Sequence, residues 1–167
     1  QYEGLSCVFL EVLHGFGGHW IHGPEPGVPT LDDPAAKKAA SWLKGLINDG
    51  ISPRAVVNMS ESETLQSFAA GDALFMRNWP YAWAELEKPG SALAGKVGVT
   101  LPVAAPGHDA AATQGSWGLS LLKGAKHPEE AAEVVRWLTS AEVQKKLFLS
   151  HGYPPTLSEL YEDESLI

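Results

Sequence analysis

Residues 76–83 read Met-Arg-Asn-Trp-Pro-Tyr-Ala-Trp, and the last six of them hold three aromatic rings and a proline. The run Ala73-Leu74-Phe75-Met76-Arg77 just ahead reads as a short strand. Pro80 is suited to open a brief helix through Leu86, because its fixed φ and missing N–H suit a first helical turn. A strand that ends in an aromatic loop and turns into a helix is how α/β proteins present binding groups at strand ends. The stretch therefore points to a mixed α/β protein.

Upstream, Leu5, Val8, Phe9, Val12 and Leu13 recur at helical steps, which predicts a helix over 2–14 stopped by Gly15, Gly17 and Gly18. His19 to His22 reads as a short strand and 23–30 as a proline- and glycine-punctuated loop. Asp33 as N-cap, Pro34 at the first helical position and Gly50 past the last turn bound a helix with Ala35, Ala39, Trp42, Leu43, Leu46 and Ile47 on one stripe. Ser60 and Glu63 have capping-box spacing, Gly71 is the stop, and Leu65 and Phe68 are the expected buried contacts. Downstream, Lys96 to Leu101 and Ser116 to Leu122 read as strands, joined by an Ala-rich connection over 102–114. Pro128 opens a helix with Ala131, Ala132, Val135 and Leu138 inward. Ser140 caps another that ends at Gly152, and Thr156 with Glu159 caps a further helix carrying Leu160 and Tyr161. The expected class is α/β, rich in helix with short strands, without the regular alternation of a doubly wound sheet.

Composition removes several functions. The chain has 167 residues with a net charge of −8, which argues against nucleic acid, whose phosphates select a basic surface. One cysteine forms no internal disulfide and no Cys-based metal cluster. No apolar run approaches the roughly 18 residues that span a bilayer. The chain starts at Gln1 without a signal-like stretch and stops soon after a predicted helix start, so it reads as a piece of a longer protein.

Catalytic patterns are thin. His14, His19 and His22 lack metal-ligand spacing and read as histidines beside a glycine turn. Gly15-Phe16-Gly17-Gly18 follows a helix rather than a strand, so it reads as a helix stop and not as a phosphate cradle. Gly115-Ser116-Trp117-Gly118 is not a nucleophile elbow, and Cys7 lies in an apolar helical stretch. Asp32 and Asp33 are explained by capping, and Glu129 and Glu130 by the helix dipole. The aromatics stand apart. Six Trp and four Tyr are many for this length, and rings at strand ends beside small residues suit flat, partly apolar ligands. Trp42, Trp83 and Trp137 are assigned to packing.

Met76-Arg77-Asn78-Trp79-Pro80-Tyr81-Ala82 resembles a signature segment of family 1 extracellular solute-binding proteins, the maltose/trehalose-type sugar receptors of ABC importers. Further likenesses follow in order along nearly the whole chain. They are Tyr2-Glu3-Gly4-Leu5 with Phe9-Leu10-Glu11 and Gly17-Gly18; Phe68 with Gly71 to Met76; and Gly95 to Val99 with Leu101-Pro102. Gly115-Ser116-Trp117-Gly118-Leu119, Lys126 to Ala131 and Gly152-Tyr153-Pro154-Pro155 complete them. Ser116 stands where the family pattern has glycine.

The resemblance implies a two-lobed, type II periplasmic-binding-protein-like fold. Residues 1–102 would belong to the second lobe, 103–152 would return to the first, and 153–167 would begin re-entry into the second. It implies a receptor and not an enzyme, with no cofactor and no metal. The ligand would be a malto-oligosaccharide, maltose or a trehalose-like sugar in a cleft whose closure shifts a hinge equilibrium. Trp79, Tyr81 and Trp117 would supply ring contacts, Gly115 and Ser116 backbone and hydroxyl groups, and Tyr2 and Glu3 further contacts at the cleft mouth. The partners would be the sugar and the membrane permease subunits, in a periplasmic or extracellular, membrane-associated setting. A homodimer or domain swap of the piece is a further expectation, since exposed apolar patches associate. The alternative is a glycoside hydrolase using the same aromatics.

Overall fold

The computed structural model describes residues 4–22, 27–29 and 31–166. They fall into two compact units, each built from two separated stretches. Unit 1 is Gln1–Arg77 with Gly98–Gly115, and unit 2 is Asn78–Val97 with Ser116–Ile167.

Unit 1 centres on helix α1 (Gly4–Gly15) packed on helix α2 (Pro34–Asn48). Leu13 of α1 is completely buried against Ala36 and Ala39 of α2, with Phe9, Val12, Phe16 and Ala35 around them. The small alanines let the two helices approach. Gly18 is required for the same reason: a Cβ there would lie 2.4 Å from Leu13 Cδ1 and 2.8 Å from the Ala35 Cβ. The α2 cap forms as its sequence predicts, with Ala35 N–H donating to Asp33 Oδ1 at 2.5 Å and Pro34 in the first turn. Between the helices, strands β1 (Ile21–His22) and β2 (Val28–Pro29) pair antiparallel, Ile21 opposite Pro29. Helix α3 (Glu61–Ala69) follows a 3₁₀ turn over Arg54–Asn58. Ser60 N–H donates to Glu63 Oε2 at 2.9 Å and the Ser60 hydroxyl bonds the same oxygen. Those bonds hold the Glu63 carboxyl below its ordinary pKa, the hydroxyl more than the N–H. Leu65 and Phe68 are half-buried.

Unit 2 packs helix α4 (Tyr81–Leu86) and helix α5 (Pro128–Leu138) on helix α6 (Ala141–His151). Its buried side chains among the described residues are Ala82 and Leu86 of α4, Val143 of α6, Pro155 and Leu160. Two 3₁₀ turns, Ser158–Glu162 and Glu164–Leu166, close the chain. Lys145 Nζ donates to Asp163 Oδ2 at 2.5 Å and ties them to α6. The Lys145 bond, and then the Ser165 hydroxyl and N–H, lower the Asp163 carboxyl to about 2. A depressed carboxylate stabilises the fold above its unfolded pKa and loses that contribution as pH falls through the folded value. The Lys145–Asp163 tie is therefore complete above about pH 4 and lost toward pH 2. Carboxyl-carbon NMR is expected to show Asp163 titrating near 2, and Lys145→Met to move that midpoint up toward the ordinary aspartate range. An unchanged midpoint in the variant would show that Lys145 is not the cause.

Three strands predicted from the sequence are absent. Among the described residues the only ladder is β1–β2. Residues 73–77, 96–101 and 116–122 carry no ladder hydrogen bonds. A strand exists only through a neighbour that accepts and donates across the ladder, and no described segment pairs with these three. Most of their apolar side chains are exposed instead, Leu74 to 90% and Phe75 to 88%, while Met76 and Val97 are half-buried. The α/β expectation is thus corrected to a helix-rich chain with two two-residue strands. The capped helix expected at Thr156 is a 3₁₀ turn, because Thr156 N–H and Oγ1 both donate to Gln144 Oε1, at 2.7 and 3.1 Å. Trp42, Trp83 and Trp137 are each partly exposed rather than core.

Candidate functional site

Trp79, Pro80 and Tyr81 form a tight corner at the start of α4. Trp79 N–H donates to Asn78 Oδ1 at 2.8 Å, a local bond typical of Asn before a turn. Ala82 N–H then donates to Trp79 C=O and Trp83 N–H to Pro80 C=O, each at 3.0 Å, which starts the helix. Trp79 and Tyr81 are half-buried. The end of α6 supports the corner from the side. Its C-cap, Gly152, takes the left-handed conformation at φ +67°, and a Cβ there would lie 2.7 Å from the Ala84 Cβ, 3.5 Å from Tyr81 Cα and 3.7 Å from the Pro80 carbonyl oxygen. Tyr153 follows directly, with its ring 5.5 Å from that of His151. Gly152→Ala adds left-handed strain and overpacking at once. We expect a loss of roughly 2–4 kcal/mol, read as a lower urea midpoint. A shift below about 1 kcal/mol would mean that α6 and the corner are not in close contact.

Gly115-Ser116-Trp117-Gly118 has no regular secondary structure and is exposed, and Trp117 is 99% exposed, so its ring touches almost nothing. Gly115 belongs to unit 1, while Ser116, Trp117, Trp79 and Tyr81 belong to unit 2. Tyr2 and Glu3 lie outside the described residues. The structure therefore brings Trp79 and Tyr81 together on one turn and leaves Ser116 and Trp117 on a separate exposed stretch.

Sequence reasoning missed the polar centre of unit 1. Glu11 of α1 is only 6% exposed. Arg77 forks onto it, Nε to Oε2 at 2.9 Å and Nη2 to Oε1 at 2.6 Å, and Thr113 N–H donates to Oε1 at 3.0 Å. Thr113 Oγ1 also donates to the Cys7 carbonyl at 2.9 Å. Burial alone would lower the Arg77 pKa, but the hydrogen bonds and charge of Glu11 outweigh it and raise the guanidinium above its ordinary value. The one signal in the sequence was a carboxylate interrupting the apolar run Phe9-Leu10-Glu11-Val12-Leu13. Beside this pair, Leu10, His14, His19, Trp20 and Ala112 line a cavity of about 220 Å³. Among the described residues no three His, Cys, Asp or Glu are grouped to hold a metal ion, and no helix is long and apolar enough to cross a membrane.

Residues 4–145 match the family model of bacterial extracellular solute-binding proteins. The chain belongs to that family. A solute-binding protein is a receptor rather than an enzyme, and this family is extracellular by description. Across all 167 residues the solute-binding protein is 43% identical to a Deinococcus radiodurans protein named "Probable ABC transporter-binding protein". Among solved structures it superposes on maltose-bound MalE3 of T. maritima with a TM-score of 0.90 at 36% identity over 99% of its length. That likeness is consistent with a type II binding-protein fold, although the described residues hold only the two short strands β1 and β2. The solute-binding protein spans 39% of the Deinococcus relative and 42% of the MalE3 chain.

Proposed function

We propose that this chain is part of the sugar receptor of an ABC importer and carries aromatic contacts for maltose, a malto-oligosaccharide or a trehalose-like ligand. The observation that carries the reading is the Trp79-Pro80-Tyr81 corner, whose two rings are set on one turn and held by Gly152. Sugars present flat C–H faces to rings and a rim of hydroxyls to polar groups, so such a corner needs few charges. The Deinococcus relative's name supports the transporter, and the maltose in MalE3 supports the sugar. Trp117 would cover a second sugar face, with Gly115 and Ser116 offering backbone groups and a hydroxyl, and Tyr2 and Glu3 reaching the cleft mouth. Residues 1–102 would form second-lobe structure, 103–152 would belong to the first lobe, and 153–167 would re-enter the second. The closed, ligand-bound receptor would dock on the permease subunits outside the cytoplasmic membrane. The glycoside-hydrolase alternative gains nothing from the family, and the buried carboxylate Glu11 is engaged by Arg77 and Thr113.

The test is tryptophan fluorescence and calorimetry of the full-length receptor with maltose, trehalose and maltotriose. Saturable binding in the micromolar range, a free energy of about −8 kcal/mol, is the expected result. No response to any of the three at millimolar concentration would reject a sugar ligand of this class.

A further inference from the structure

We propose that Tyr153 is a further ring contact of the receptor, covering a sugar face beside the Trp79-Pro80-Tyr81 corner. This rests on the sugar-receptor reading above, since it takes that corner as the place where ligand binds.

Both features belong to unit 2. Gly152 joins them. A Cβ on it would stand 3.5 Å from Tyr81 Cα and 3.7 Å from the Pro80 carbonyl oxygen, so the end of α6 lies directly against the corner. Tyr153 is the next residue, and consecutive Cα atoms stand about 3.8 Å apart. The Tyr153 Cα is therefore within about 9 Å of the Tyr81 Cα, a gap that neighbouring sugar units can bridge.

The backbone that carries Tyr153 is held at both ends. Gly152 N–H donates to the Phe148 carbonyl at 2.8 Å and caps α6. On the far side Pro155 is buried, and its carbonyl accepts from the Tyr161 hydroxyl at 2.8 Å. Thr156 then donates twice to Gln144 Oε1 of α6. Between these ties Pro154 and Pro155 have fixed φ, and a residue ahead of a proline favours extended backbone. Tyr153 thus stands on a short, stiff bridge.

The ring is set from one side. The His151 imidazole lies against it, with centroids 5.5 Å apart and planes at 31°. The Ser150 hydroxyl gives its one proton to the Lys146 carbonyl at 2.6 Å. Its 2.6 Å contact with His151 Nδ1 is therefore a bond donated by the imidazole, which holds that ring in place. Tyr153 nevertheless stays 50% exposed. Immobilising a side chain costs binding energy, so a tyrosine already fixed and still open offers a face to ligand at little further entropy. Ending α6 does not require this ring, because the left-handed Gly152 and the prolines do so by themselves.

The experiment compares the full-length receptor with its Tyr153→Ala and Tyr153→Phe variants, by calorimetry with maltose and by thermal melting. Tyr153→Ala is expected to bind maltose at least roughly tenfold more weakly and to melt with the parent. Tyr153→Phe keeps the ring face and is expected to stay within about threefold of the parent affinity. A loss below tenfold in Tyr153→Ala would overturn the contact. A lowered melting temperature in that variant would overturn it too, by assigning the ring to packing in the full-length receptor. A Tyr153→Phe loss beyond threefold would show that the hydroxyl and not the ring face is used. A parent that binds no maltose removes the receptor reading and this contact with it, whereas a binding parent with an unaffected Tyr153→Ala removes the contact alone.

Discussion

Trp117→Ala is expected to weaken maltose binding by the full-length receptor at least about thirtyfold, near 2 kcal/mol, with almost no change in melting temperature. The ring is 99% exposed, so it has no packing partners in this chain to lose. Surface substitutions away from caps and cores stay within about 0.5 kcal/mol in stability. A tryptophan left this open on a glycine-flanked stretch is costly to hydrate unless something covers it in use. A flat sugar face is the covering surface that the receptor reading supplies. The two measurements separate the possibilities cleanly. Lost affinity with a parent-like melt identifies a ligand contact. A stability loss of roughly 3–5 kcal/mol, typical of a truncated core ring, would instead place Trp117 in packing within the full-length receptor. Unchanged affinity would remove it from the site.

Leu13→Ala is expected to destabilise unit 1 by about 4 kcal/mol, toward the upper part of the roughly 2–5 kcal/mol range for such truncations. Leu13 is completely buried, and the side chains that surround it decide the size of the effect. Ala36 and Ala39 face it from α2, and Gly18 presses on its Cδ1 from the turn after α1. These three are the smallest residues available and cannot swing inward, which leaves only Phe9, Val12 and Phe16 at the edge of the core to close part of the space that a leucine leaves. Much of the cavity is expected to stay open, and its volume adds to the lost transfer energy. Urea unfolding followed by helical circular dichroism is expected to show a lower midpoint with an unchanged slope. Leu5→Ala, on the exposed side of the same helix, is the matched control. A Leu13 effect no larger than that of Leu5 would show that α1 and α2 do not form the core of unit 1.

What was legible in the sequence was what short-range chemistry decides. Asp33-Pro34, Ser60 with Glu63, and Ser140 with Gly152 each sit beside the helix end they set, and α2, α3 and α6 begin or end there. The Trp79-Pro80-Tyr81 turn was legible for the same reason, since Asn78 and Pro80 act within a residue or two. Strands at 73–77, 96–101 and 116–122 depend on partners elsewhere, and side-chain patterning cannot announce a missing partner. Thr156 had the right spacing for a cap, but a distant side chain, Gln144, took its donors. Glu11 escaped notice because its partners are 66 and 102 residues away in the chain.

That separation also bears on synthesis. A carboxylate cannot leave water cheaply before its donors exist. Translation delivers α1 first, Arg77 long afterward and Thr113 later still, when α2, α3 and α4 have already emerged. The Glu11 side of α1 must therefore stay hydrated on the growing chain until residue 113 has cleared the ribosome exit tunnel. Unit 1 is a late-closing product of vectorial folding, and a nascent chain stalled before Thr113 should keep that side open to chaperones and proteases.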